Sequence, residues 1–362
     1  MSIEIVAVGN EVLRGVVVNI NGAYLGRRLD EEGWNVSRQT ILPDEPLQLT
    51  AGLQESLNRT SIVIATGGIG PTLDDKTLEC ASTLFSSPGT PLKNQIGSAS
   101  GFHFTNGNLH LFLLPGVPQE MESMFEEEVF PLLPPQKKGN RLRLHFSMLS
   151  ENEVDPFLRE MEVEAGIYPS YGGLTVILRG DNLLKLEKEK ERLKKQFKSY
   201  YYESPSGTIE EAIQQWMIKN KKTVACAESC TGGLLASQLT AIPGASNYFL
   251  GSLVTYSNQL KEKMLQVSSK TLHTKGAVSS EAVHEMWKGV LHVTGADFAV
   301  AVSGIAGPTG GTPDKPVGTV FYAIGFKESS PEIGTFHFKG VRNLVILRTT
   351  RRLLALIWNQ LR

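Results

Sequence analysis

The chain reads as an α/β protein: two three-layer α/β domains joined by a small α+β module. Three observations carry that expectation. At 362 residues it is too long for one ordinary hydrophobic core, so two or three domains are expected. Short apolar β-type runs alternate with helix-spaced segments over the first third, and again after residue 205. Two breaks rich in proline, serine and glycine, Pro131–Gly139 and Ser204–Gly207, interrupt the pattern. The boundaries expected from them are 1–135, 136–205 and 206–362.

In the first part, strands are predicted at Ile3–Val8, Trp34–Leu42, Ser61–Thr66 and Leu109–Leu114. Helices are predicted at Asn19–Glu32, with Leu25 and Leu29 on one stripe, and at Pro46–Leu57, Asp74–Phe85 and Pro118–Phe125. Alternating elements with short links imply a mostly parallel sheet covered by helices. The middle part predicts a strand Arg141–Met148, a helix Glu153–Glu164, a strand Leu174–Leu178 and a charged helix Asn182–Tyr202. The charge run Glu187–Arg192 suits a solvated helix face. This order resembles a KH-like module, but the GxxG loop that clamps nucleic-acid backbone is not evident. The module is therefore read as a spacer or dimerisation element. The last part predicts helices at Ile209–Ile218, from Leu234, at Ser279–Val293 and at Leu344–Leu361. Its strands are expected at Thr223–Cys226, Gly251–Tyr256, Phe298–Ser303 and Gly318–Phe326.

Composition excludes several classes. With 36 basic and 37 acidic residues, the chain has no electrostatic drive toward nucleic acid in general. Cys80, Cys226 and Cys230 are too few and odd in number for a disulfide framework, which suits reduced thiols in the cytoplasm. No signal peptide is visible, and no apolar run approaches bilayer length, so no membrane partner is expected.

The chemistry concentrates in "AESCTGG", Ala227–Gly233, between an apolar strand and a helix. Such a turn places backbone N–H groups and the positive helix end together, which suits an anion or oxyanion. Ser229 or Thr231 could equally cap the helix. Three further stretches bear on that choice. "VTYSNQLK" supplies Tyr256, Asn258 and Lys261, and a buried lysine can act as the base a serine needs. The glycine-rich loop Gly304–Thr312 follows an apolar strand and suits a phosphate cradle. Arg342, before the last helix, could hold a phosphate. Cys230 is the rival nucleophile. It sits at the neighbouring position, and no histidine lies near it in sequence to activate it. None of the seven histidines shows metal-ligand spacing.

Together, "AESCTGGLLASQLT", "GSLVTYSNQLKEKML", "KGAVS" and "AVAVSGIAGPTGGTPDKPVGTV" resemble the nicotinamide-nucleotide amidase domain of the CinA family. The resemblance implies hydrolysis of nicotinamide mononucleotide to nicotinate mononucleotide and ammonia, without a cofactor, in a homodimer. By position, Ser229 matches the nucleophile, Lys261 the general base and Tyr256 a tyrosine that organises the pair. Amides of Thr231, Gly232 and Gly233 would hold the oxyanion. Asn258 would contact the substrate, and Gly304, Ala306, Gly307, Thr312 and Arg342 would serve its phosphate. The family's Gly-Asp-Arg reads Gly340-Val341-Arg342 here, without the carboxylate.

The first part carries Thr66-Gly67-Gly68-Ile69-Gly70-Pro71-Thr72, followed by Asp74 and Asp75. Glycines give backbone access for a phosphate, and the two aspartates could hold a divalent metal or simply start a helix. With Gly9-Asn10-Glu11, Asn19-Ile20-Asn21, Asp44 and Leu114–Pro118, this part resembles the molybdopterin-binding-like domain of CinA proteins. The resemblance implies a metal-dependent ADP-ribose pyrophosphatase. The chain departs from the pattern at Asn10, at Asn19 and at Ser100, and its segment after Asp75 is short. Two readings therefore stay open for this part, an active pyrophosphatase and a degenerate scaffold. The family's historical name suggests another class, an interaction protein of DNA uptake or damage response without turnover.

Overall fold

The computed structural model describes residues 2–72, 75–136 and 139–362. They form two compact units, Met1–Gly139 and Asn140–Arg362.

The first unit is one six-stranded sheet of β1 (Ser2–Val8), β2 (Asn35–Leu42), β3 (Ile62–Thr66), β4 (Thr90–Leu92), β5 (Gly101–Asn106) and β6 (Leu109–Leu114). Its order is β2-β1-β3-β6-β5-β4, with the first four strands parallel and β5 and β4 antiparallel. Alternate β1 residues feed opposite layers, as the strand period of two requires. Ile3 and Ile5 pack with Leu25 and Leu29 of the helix Ile20–Glu31. Val6 and Val8 pack with Leu49 and Leu53 of the helix Pro46–Arg59. The sheet is therefore covered on both faces. The helix predicted from Asp74 runs Thr77–Phe85, and Asp74 itself lies outside the described residues.

The second unit holds two sheets. The smaller has β7 (Asn140–Ser147), β8 (Glu164–Ser170), β9 (Gly173–Gly180) and β10 (Tyr201–Tyr202) in the antiparallel order β10-β7-β9-β8. Helices Glu151–Leu158 and Leu183–Gln196 complete a split βαβ arrangement. Sequence reading ran the first helix to Glu164. It ends six residues earlier, and the chain turns into β8, whose pairing with β9 through Tyr171-Gly172 overrides the local helical spacing.

The larger sheet has β11 (Val224–Glu228), β12 (Phe249–Val254), β13 (Phe298–Gly304), β14 (Thr319–Phe326) and β15 (Glu332–His337), in the order β12-β11-β13-β14-β15. β12, β11 and β13 are parallel; β14 and β15 are antiparallel to their neighbours. Small residues Ala225, Ala227, Ala299 and Ala301 face the helix Ser280–Thr294. The opposite face, Val224, Cys226, Val300 and Val302, packs under the helices Ile209–Lys219 and Arg342–Gln360. Among the described residues, no helix is long and apolar enough to cross a membrane.

Candidate active site

β11 is the central parallel strand, and all five of its residues are buried. Its neighbours β12 and β13 end beside it, so three loops converge at the carboxyl ends of parallel strands, where α/β sheets place their sites. Ser229 is the first residue past the strand, and its amide still bonds the Val302 carbonyl at 3.0 Å. The turn then passes through Gly232 at φ 63° and Gly233 at φ 97°, left-handed conformations that strain any other residue. A Cβ on Gly232 would meet nothing within 4 Å, so the backbone there faces open space.

Lys261 lies in the helix Asn258–Leu265, whose start is capped by the Ser257 hydroxyl. Its side chain turns inward and is 1% exposed. Its ammonium donates to Ser229 Oγ at 3.0 Å, to the Thr255 carbonyl at 2.7 Å and to the Tyr256 carbonyl at 3.3 Å. Burial pushes its pKa below the ordinary lysine value. Deprotonated, the amine keeps two N–H donors for the two carbonyls, and its lone pair is left facing the serine hydroxyl. The resemblance gives Tyr256 a part in organising this pair. Its carbonyl accepts from the lysine, while its phenol lies at the rim, 58% exposed, and accepts from Arg342 Nη2 at 2.8 Å.

Glu228 is a buried member of this corner that no motif in the sequence singles out. It is fully buried, and its carboxylate accepts from the amides of Gly233, Leu235 and Ala236 at 3.0, 3.2 and 2.9 Å and from Ser252 Oγ at 3.0 Å. It caps the helix Leu234–Leu239 from inside. The available signal was a charged residue ending an otherwise apolar strand beside the turn.

This cap changes the oxyanion assignment. The Gly233 amide belongs to Glu228, and the Gly232 amide bonds the Ser229 carbonyl at 3.1 Å. Among the described residues the amides of Cys230 and Thr231 meet no acceptor. The hydroxyls of Thr231 and Thr255 are also buried without partners. The free donors thus sit at 230–231 rather than at Gly232 and Gly233. Burial pushes the Cys230 thiol up to about 12, far from a thiolate at neutral pH.

The glycine-rich loop is fastened at its base by Ile305 N to Thr319 O at 2.9 Å and Gly318 N to Ile305 O at 2.7 Å. Gly304 is a packing position, since a Cβ there would lie 2.7 Å from Val320. Ala306 is buried, and Gly307 precedes the cis-Pro308. The amide and hydroxyl of Thr312 both bond Lys315, so they close the loop rather than face a ligand. Arg342 Nη1 donates to the Gly307 carbonyl at 3.0 Å, tying this loop to Tyr256. Asn258 is exposed at the start of its helix.

In the first unit a cavity of about 490 Å³ is lined by Gly67, Gly68, Gly70, Asp44, Asp75 and Asn21, among others. Asp75 accepts from the amide and hydroxyl of Thr72 at 2.9 and 2.5 Å, and Asp44 accepts from the Asn10 amide at 2.8 Å. Asn21 donates to Thr66 Oγ1 and to the Gly116 carbonyl, while its own carbonyl oxygen is buried without a partner. No group of three or more His, Cys, Asp or Glu among the described residues converges on a metal. Asp74, the other candidate ligand beside Asp75, lies outside the described residues.

Residues 206–361 match the family model described as CinA C-terminal domain, and residues 4–135 the one described as probable molybdopterin binding domain. A CinA-like protein of Endomicrobium trichonymphae is 34% identical over 424 aligned positions, covering 100% of this chain and 99% of the relative. The chain belongs to the CinA family. A second CinA-like protein, from Geobacter sulfurreducens, is 33% identical over 99% of this chain and 98% of its own length. An alignment of 424 positions for 362 residues means that this CinA chain lacks stretches its relative has. Among solved structures, competence damage-inducible protein A of Klebsiella pneumoniae is similar at 37% identity, covering 42% of this chain and 94% of that one, with a TM-score of 0.41.

Proposed function

We propose that the second unit hydrolyses the carboxamide of nicotinamide mononucleotide, giving nicotinate mononucleotide and ammonia. The observation that carries this reading is the buried Lys261 amine 3.0 Å from the Ser229 hydroxyl. Neutral Lys261 takes the Ser229 proton as Oγ attacks the carboxamide carbon. The resulting oxyanion is met by the amides of Cys230 and Thr231, which have no other acceptor. The C–N bond then breaks, and the Lys261 ammonium returns the proton to the departing amine, releasing ammonia. Water attacks the acyl ester while Lys261 again accepts a proton. The carboxylate leaves, and Ser229 recovers its hydrogen. Arg342 and the glycine-rich loop hold the phosphate, beyond the rim where the Tyr256 phenol sits.

The test is ammonia release from nicotinamide mononucleotide by the full chain. Ser229→Ala and Lys261→Ala are expected to abolish it, and Cys230→Ala to retain most of it. A fully active Ser229→Ala overturns the mechanism. For the first unit we propose ligand binding without metal-dependent turnover, supported by the separate engagements of Asp44 and Asp75.

A further inference from the structure

A second concave site lies in the same unit, away from Ser229. It is a cavity of about 520 Å³ between the end of β15, the helix Arg342–Gln360 and the β8–β9 turn. Lys339, Arg348, Arg351 and Arg352 line it, with Phe336 and Tyr171, and no carboxylate lines it. Arg348 donates to the Lys339 carbonyl, and the Arg352 guanidinium lies 5.8 Å from the centre of the Phe336 ring. Among the described residues, Lys339, Arg348 and Arg352 have no acidic partner. Arg351 donates to Glu210 at 2.6 Å. Three cations with no carboxylate opposite them leave the cavity wall positive, which suits an anion.

The cavity is built into the fold. Gly172 adopts φ 95°, and a Cβ there would lie 2.8 Å from the Arg351 Cβ, so only glycine lets the turn close onto that arginine. Met148, also lining the cavity, holds a left-handed φ of 63° and bonds the Gly172 carbonyl at 2.7 Å. Strained residues of this kind persist where the surroundings fix them, and they cluster at ligand sites.

We propose that this cavity is a second anion site, built for a small phosphate ester carrying a planar ring, of the nucleoside mono- or diphosphate class. The guanidinium groups suit phosphate oxygens, the Phe336 and Tyr171 rings suit a base, and the volume lies in the range of small-molecule sites. Its floor touches the amidase machinery. The Phe338 amide bonds the Gly318 carbonyl at 2.9 Å, at the end of the glycine-rich loop. Arg348 follows Arg342 on one helix by six residues, roughly 9 Å along the axis. An occupant would brace the loop from behind.

Calorimetric titration of the full chain with AMP, ADP and inorganic pyrophosphate tests the site. ADP is expected to bind with an affinity that falls as salt rises, and that drops at least tenfold in Arg348→Glu/Arg352→Glu. The milder Arg348→Gln/Arg352→Gln, checked for an unchanged melting temperature, should show the same direction of loss. Equal affinity in wild type and both variants, or no heat with any of the three probes, overturns the proposal. So does tight binding of a single-stranded oligonucleotide that AMP and ADP fail to displace. The readout is binding, so a failed amidase assay leaves the outcome of this test intact.

Discussion

Glu228→Gln isolates the least expected member of the site. The side chain keeps its shape and loses its charge and one acceptor. In the wild type, Oε2 takes the Gly233 and Leu235 amides, and Oε1 takes the Ala236 amide and the Ser252 hydroxyl. An amide nitrogen at Oε2 would face two N–H donors. At Oε1 it faces one, and the Ser252 hydroxyl can rotate to accept from it, so the second orientation wins. The variant then loses one charge-assisted hydrogen bond and weakens two others. At about 1.5–3 kcal/mol for a bond to a charged group, the second unit should lose about 2–3 kcal/mol. For a unit of this size that is roughly 4–12 °C in melting temperature. The turn between Ser229 and the helix would also relax. A shift of about 1 Å in a reacting group costs on the order of 100-fold, so kcat should fall by about tenfold or more while KM changes little. Scanning calorimetry of the full chain and steady-state ammonia release read the two effects. A Glu228→Gln protein with wild-type melting temperature and kcat refutes the claim that this carboxylate holds the turn.

Four other outcomes are expected. Because only neutral Lys261 can act as base, log kcat/KM should rise with slope one below the folded lysine pKa and level off above it; a profile flat across that window removes the amine from the base role. The lowered pKa also costs stability: the cost vanishes above the unfolded value of about 10.4, grows by about 1.4 kcal/mol per pH unit as pH falls toward the folded pKa, and is constant below that. Lys261→Met should therefore be inactive yet at least as stable as wild type at neutral pH by chemical denaturation. Tyr256→Phe should keep kcat within a few-fold and raise KM, since the phenol meets Arg342 and not Lys261; a kcat loss as large as that of Lys261→Ala contradicts this. The full chain should not hydrolyse ADP-ribose with Mn²⁺ or Co²⁺ added, and release of AMP and ribose 5-phosphate would show that the first unit is an active pyrophosphatase.

Much of the layering could be read from pattern alone. Apolar runs such as Ile62–Thr66 and Phe298–Gly304 are buried on both faces, so their identity does not depend on a partner. The elements that were missed are those whose form depends on pairing. β5 carries polar residues and joins β6 through Gly107-Asn108, with Gly107 at φ 60°; that two-residue glycine turn was a hairpin signal left unread. β15 alternates Glu332-Ile333-Gly334-Thr335-Phe336-His337 at a sheet edge, where half of each face meets solvent and little apolar content marks it. β8 contains Gly166 and Pro169, both unfavourable in a strand taken alone, and is held by its ladder to β9.

The site itself shows why residue types can be read from sequence while contacts cannot. Ser229 and Lys261 are 32 positions apart. What joins them is the parallel register of β11 and β12, in which Glu228 sits opposite Val254. The next residues, Ser229 and Thr255, therefore leave the sheet side by side, and the Thr255 amide bonds the Glu228 carbonyl at 2.9 Å. One helical turn beyond Ser257, Lys261 returns over that corner onto the Thr255 and Tyr256 carbonyls. A slip of one residue in the β11–β12 pairing would turn the lysine and the hydroxyl to opposite faces. Nothing local in "AESCTGG" or "VTYSNQLK" specifies that register. It is set by which alanines and valines of β11 face which helices across the whole sheet. The same register sets what Tyr256 contributes: its carbonyl accepts from the Lys261 amine, while its phenol accepts from Arg342.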